Sequence, residues 1–133
     1  METVLFACVH NAGRSQMAAA WFNKLCNPEK AVALSAGTQP GERVHPVVVE
    51  TLLEVGIDMS GLKPQLLTTD LARRATLLVT MGCGDACPYV PGLEKLDWPL
   101  QDPKGQPAET VRKIRDEIRH RVTELGRERG WLL

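Results

Sequence analysis

Apolar residues along the chain fall into two patterns. The first is the short unbroken run: Val4-Leu5-Phe6-Ala7, Ala31-Val32-Ala33-Leu34 and residues 75–80 (ATLLVT). Runs of this length without alternation are expected of strands buried on both faces. Residues 93–98 form a shorter and weaker fourth candidate. The second pattern is helical spacing. Over residues 14–25, Met17, Trp21 and Leu25 share one face, and Asn27-Pro28 stops the helix. Pro46 suits a helix first turn; Val48, Leu52 and Val55 continue on one face, and Gly56 is placed to cap the end. A short helix is expected to start at Thr69-Asp70, with Leu71 as its apolar contact. The last helix is the clearest. Pro107 stands near its start, Val111, Ile114, Ile118, Val122 and Leu125 step at helical intervals, and Arg and Glu fill a solvated face between them.

Strands alternating with helices predict right-handed crossovers and a parallel sheet covered on both faces. In such sheets ligands bind beyond the carboxyl ends of the strands, where the strand order reverses. The loop after the first strand is therefore the first place to look. The length, 133 residues, suits a single domain over 1–133. Charge is balanced, with 16 Lys plus Arg against 16 Asp plus Glu, which argues against a nucleic-acid or membrane-surface binder working through bulk charge but leaves room for a focused anion site. Stretches free of Lys, Arg, Asp and Glu reach at most eleven residues, too short to span a bilayer. The amino terminus lacks the positive start and long apolar region of a signal peptide, so a cytoplasmic location is expected. There the four cysteines should be mostly reduced thiols, with catalytic, redox or metal-binding uses.

The loop reads Cys8-Val9-His10-Asn11-Ala12-Gly13-Arg14-Ser15, a cysteine and an arginine separated by five residues. Small residues in a strand-to-helix turn let successive backbone N–H groups of Val9, His10, Asn11, Ala12 and Gly13 point inward as a nest. The helix start adds partial positive charge. Arg14 brings a planar fork for two oxygens of a tetrahedral oxyanion. The same field favours the thiolate form of Cys8, and the Ser15 hydroxyl is in position to donate to it. The bland alternative, with Cys8 a small buried hydrophobe and Arg14 a surface residue, fits poorly with a buried strand before the loop and an amphipathic helix after it. For His10, shaping the turn and contacting the anion are equally open.

The loop resembles that of low-molecular-weight protein tyrosine phosphatases, and CVHNAGRSQMA is similar to their arsenate reductase branch. The likeness runs along the chain through Ser35-Ala36-Gly37, Gly56-Ile57-Asp58, residues 80–88 and Asp102-Pro103. It implies an α/β fold with a four-stranded parallel sheet flanked by helices on both faces. It also implies Cys8 as nucleophile, Arg14 as oxyanion clamp and Asp102 as general acid. Asp102-Pro103 fits that role on its own terms, because proline restricts the preceding residue and fixes the loop, and an acid above the anion can protonate a departing oxygen. Asp97 is the local competitor, and an Asx-Pro turn is the plain reading of the pair.

A phosphatase and an arsenate reductase both begin with thiolate attack on the central atom of a tetrahedral dianion. They diverge when water or a thiol resolves the adduct. Two features favour reduction of arsenate. Phosphatases of this family carry aromatic residues after the Asp-Pro pair and Pro after the Arg-Ser pair, whereas here Lys104-Gly105-Gln106 and Gln16 stand there and Tyr89 is the one tyrosine. Second, Cys83 and Cys87 follow the third strand, where the resemblance puts the redox cysteines of thioredoxin-coupled reductases. Three residues separate them, against six in the familiar pattern, so two resolving thiols stay open: Cys83, or an external thiol. The resemblance implies no bound cofactor, a reductant of the thioredoxin or glutaredoxin type or a small thiol, and an arsenate- or phosphate-like oxyanion as substrate. A phosphatase using the same Cys8, Arg14 and Asp102 is the alternative, and a non-catalytic oxyanion sensor a third. A single C-x3-C with three scattered histidines supplies no second ligand pair, so no metal site is expected. Cys26, at a helix end, reads as structural.

Overall fold

The computed structural model describes residues 1–82 and 90–133. The elements run β1 (Glu2–Cys8), α1 (Arg14–Leu25), β2 (Ala31–Gly37), α2 (Pro46–Leu53), α3 (Thr69–Arg73), β3 (Leu77–Thr80), β4 (Glu94–Asp97) and α4 (Ala108–Arg129). The four strands form one sheet in the order β2-β1-β3-β4, and every pairing is parallel. The expected α/β architecture is therefore present.

The unbroken apolar runs behave as double-faced strands. Val4, Phe6, Leu77 and Val79 enter one core with α1, α2 and α4, while Leu5, Ala7, Ala36 and Leu78 enter a second with Leu67, Leu71 and Ala72. Helices cover both faces unequally: the larger core holds three of them, the smaller one only the single turn and a half of α3. Phe6 anchors the larger core. Its ring packs edge-on to Phe22 at 6.0 Å and against Trp98 at 5.6 Å, and Phe22 meets Trp131 at 5.8 Å. Truncating a fully buried phenylalanine of this kind costs about 3–5 kcal/mol.

Boundaries differ from the pattern-based expectation in informative ways. β1 runs to Cys8, so the thiol sits on the last strand residue and not in the turn. β2 runs past the apolar run Ala31–Leu34 to include Ser35-Ala36-Gly37, because the pairing of β1 with β2 continues to Cys8 opposite Gly37. α2 stops at Leu53; Gly56 N–H bonds to Leu53 C=O and Ile57 N–H to Leu52 C=O, a tightened exit with Gly56 at positive φ. α1 spans the expected residues.

The order β2-β1-β3-β4 reverses between β1 and β3. Residues following the carboxyl ends of β1, β3 and β4 therefore converge at one crevice.

Candidate active site

α1 begins with no acidic residue in its first turn and no side-chain cap on Gly13, so its amino end presents bare N–H groups. The loop in front of it is held from outside through its carbonyls. Cys8 C=O accepts from Thr38 N–H, Val9 from Gln39, His10 from Gly41, Ala12 from His45 and Gly13 from Met17. Four of these carbonyls turn outward to neighbouring segments and the fifth, of Gly13, starts the hydrogen-bond ladder of α1, which leaves the intervening N–H groups free to face inward. Among the described residues, the backbone N–H groups of Val9, His10, Ala12, Gly13, Arg14 and Ser15 find no protein acceptor. Unpartnered N–H groups in succession are an arrangement that can receive an anion.

Asn11 locks the geometry. It is fully buried and is the one non-glycine described residue at positive φ, 51°. Its Oδ1 accepts from Gln65 N–H at 3.0 Å and from Gln16 Nε2 at 3.1 Å. A backbone N–H can only donate, so the atom facing Gln65 is the oxygen, and Nδ2 must face Ser15 Oγ, 2.7 Å away. Ser15 Oγ thus receives one hydrogen bond from Asn11 and shares a second, 2.9 Å long, with Cys8 Sγ. Asn11 N–H reaches the same sulfur at 3.3 Å. The sulfur itself is buried. Gln16 also donates to Lys63 C=O at 3.2 Å.

Arg14 lies on the first turn of α1 yet is only 8% exposed. Its Nη1 donates to Leu100 C=O at 3.3 Å, and its Nη2 is 3.6 Å from Asp102 Oδ2. Asp102 therefore stands against the loop, with its side chain 45% exposed and Oδ1 accepting from Lys104 N–H at 3.0 Å. The competitor Asp97 is engaged elsewhere: its Oδ1 accepts from Thr80 Oγ1 at 2.8 Å. Pro103 presses the Asp-Pro turn onto the loop. A Cβ on Gly13 falls 2.6 Å from Pro103 Cγ, so only glycine permits this approach. The structure thus brings Cys8, Arg14, Ser15 and Asp102 to one crevice. Cys83 and Cys87 lie outside the described residues.

His10 takes the turn-shaping option, its Nδ1 lying 3.0 Å from Gln39 C=O. His45, unremarked in the sequence, caps α2 beside Gly13 and Pro103. Burial pushes its imidazole pKa below the ordinary value, Asp102 opposes that, and Lys104 and His10 reinforce it. Gln65, Leu100 and His45 escaped sequence reading, and the buried contacts of Gln16 with Asn11 and Lys63 were not foreseen. A glutamine on a helix or loop carries no signature for the backbone group it will meet. Cys26 is buried between α1 and the chain end, near Gly126, and burial raises its thiol pKa, as suits an inert packing residue. Among the described residues there is no cluster of three metal-ligating side chains, and no helix is long and apolar enough to cross a membrane.

The family profile described as low molecular weight phosphotyrosine protein phosphatase matches residues 3–87. A relative from Halobacterium salinarum is 39% identical over 124 residues, covering 90% of this chain and 87% of its own. Arsenate reductase 2 of Staphylococcus haemolyticus is 36% identical over 122 residues, 89% of this chain and 91% of its own. Among solved structures, the thioredoxin-dependent arsenate reductase of Corynebacterium glutamicum is 41% identical with a TM-score of 0.84; the match covers 96% of this chain and 61% of that one. A low molecular weight protein tyrosine phosphatase from T. tengcongensis is 26% identical with a TM-score of 0.83, covering 96% and 99%.

Proposed function

Because the chain belongs to the low molecular weight phosphotyrosine protein phosphatase family, we propose that its crevice is an arsenate-reducing active site within a single domain. The observation that supports an oxyanion site is the run of loop N–H groups without a protein acceptor next to the buried Arg14 and the buried Cys8 sulfur. The similarity to arsenate reductases at 36% and 41% identity supports reduction over hydrolysis.

In this reading the N–H groups of residues 9–15 and the Arg14 guanidinium hold three oxygens of the arsenate dianion. Cys8 Sγ attacks arsenic, forming an S–As bond, and an oxygen departs as water with a proton from Asp102. A second thiol then attacks Cys8 Sγ. The electron pair of the S–As bond stays on arsenic, which leaves as arsenite, and a disulfide to Cys8 remains. Cys83 is the internal candidate for that thiol. Cys87 would next attack Cys83, freeing Cys8 and leaving a Cys83–Cys87 disulfide for an external dithiol of the thioredoxin type. On a regular helix residues four apart have Cβ atoms roughly 5–6 Å apart. A disulfide needs about 3.8 Å. The relay therefore requires residues 83–87 to be non-helical when the bond forms. An added small thiol resolving Cys8 directly is the other branch.

The deciding experiment measures arsenate-dependent oxidation of thioredoxin and hydrolysis of p-nitrophenyl phosphate on one preparation. Reductant oxidation, with a Cys83–Cys87 disulfide by mass spectrometry and a Cys8–Cys83 disulfide trapped in Cys87→Ser, is the expected result. Brisk phosphate hydrolysis with every cysteine still reduced under arsenate would establish the phosphatase alternative. Tight oxyanion binding with neither turnover would establish a sensor.

A further inference from the structure

The Arg14 guanidinium lies in a slot. On one side stand Leu100 C=O, 3.3 Å from Nη1, and Asp102, 3.6 Å from Nη2. On the other side stands the backbone of Gly82. A Cβ built on Gly82 falls 2.7 Å from Arg14 Nη1, 3.6 Å from Cζ and 3.8 Å from Nη2. Carbon and nitrogen cannot rest that close, so either group must move. Gly82 cannot retreat easily. The residue before it, Met81, is fully buried and its N–H is tied to Ala7 C=O at 2.7 Å, one residue before the nucleophile. Gly82 itself has a φ of +94°, where a side chain is strained whatever the space. The guanidinium is the end of a flexible chain and would give way, but only by leaving Leu100 and Asp102.

We infer that Gly82 is a positioning residue for the oxyanion site: the side chain it lacks is the space in which the Arg14 guanidinium is seated. The inference rests on the reading of Arg14 as oxyanion clamp and adds a residue acting through it. It also joins the strand end that leads to Cys83 to the group that holds the anion, without any contact between Gly82 and the substrate.

The structure supplies its own control. Gly92 has a comparable φ, +79°, and a Cβ there meets nothing within 4 Å. Gly92→Ala therefore carries the backbone strain without the collision. Inorganic phosphate is the probe, titrated calorimetrically into the full chain. Gly82→Ala should bind phosphate roughly tenfold more weakly or worse, the loss expected when a charge-assisted contact is displaced. Gly92→Ala should bind it as the wild type does. Thermal unfolding without phosphate completes the test. Gly82→Ala should lower Tm more than Gly92→Ala in the wild-type background and by a similar amount in an Arg14→Ala background, where nothing remains to collide with. If Gly82→Ala alone fails to fold, the same logic requires Gly82→Ala/Arg14→Ala to fold. Wild-type phosphate affinity in Gly82→Ala overturns the inference, and so does an equal Tm loss from Gly82→Ala with and without Arg14, or a double variant that stays unfolded. Arg14→Lys separates the two claims: wild-type phosphate affinity in that variant sinks the clamp itself, whereas weak binding there with normal binding in Gly82→Ala sinks only the seat.

Discussion

The two loops that meet at the crevice are built differently. The loop from Cys8 to Ser15 is over-determined: four carbonyls are tied outward, Asn11 is satisfied at both side-chain atoms, and Asn11 and Ser15 are inaccessible to solvent. The loop carrying Asp102 is held lightly. Pro103 rests on Gly13, Lys104 N–H caps the carboxylate, and that carboxylate is nearly half exposed. In the proposed reaction the first loop binds the anion and carries the nucleophile, and these contacts leave little ordering for the moment of reaction. The second loop, assigned the proton transfer in that proposal, keeps its carboxylate open to water. Damage to the first loop should weaken binding, and damage to the second should slow turnover and spare binding.

The largest expected effect tests the exposed loop. Asp102→Asn should lower arsenate turnover by roughly 10²–10⁴-fold, the range for loss of a proton donor. Phosphate affinity should hold or rise, because a negative charge beside the anion has gone. Unchanged turnover would return attention to Asp97. Next, Arg14→Lys keeps the charge and loses the planar two-point fork. Phosphate should bind about ten- to hundredfold more weakly, read by calorimetry. Third, Asn11→Gly keeps the positive φ and removes the side chain that satisfies Gln65 N–H, Gln16 and Ser15. Each buried group left unpaired costs about 1–3 kcal/mol. Urea unfolding should therefore show a clear loss of stability, and phosphate protection of Cys8 from iodoacetamide should weaken with it. An Asn11→Gly protein as stable as the wild type would show that the loop holds its shape without this network.

The smallest effect serves as a control remote from both loops. Glu54 joins α2 to α4 through Arg112 and Arg115. The hydrogen bond from Arg112, reinforced by both positive charges and by Arg115, holds its pKa at about 2, against an ordinary value of 4.5. A depressed carboxylate stabilises the fold above its unfolded pKa and loses that contribution as pH falls through the folded one. Glu54→Gln should therefore lower Tm slightly at pH 7, with the difference shrinking between pH 4.5 and 2, and leave phosphate affinity untouched.

Much of this was legible in the chain. The parallel sheet followed from unbroken apolar runs, and α1 from the spacing of Met17, Trp21 and Leu25. Cys8 and Arg14 were legible together because one strand, one turn and one helix start separate them, so local geometry alone brings them close. The burial of Arg14, Ser15 and Gln16 was not legible. All three are polar residues at a helix start, where solvent is the usual neighbour, and only the covering loops remove it. The sequence assigned Asp102 by resemblance and kept Asp97 as a local competitor; that Asp97 is tied to Thr80 could not be read from the chain.

What the sequence determined by itself was the set of elements and the chemical pair at the end of the first strand, since both depend on residues within a dozen positions of one another. The tertiary structure alone decided how the site is held. Asn11 meets Gln65, Arg14 meets Leu100 and Asp102, and the loop carbonyls meet the N–H groups of Thr38, Gln39, Gly41 and His45. Most of these partners are backbone groups. Every residue but proline carries the same N–H and C=O, so no side-chain code announces which of them will be turned toward the site; only the path of the folded chain selects them.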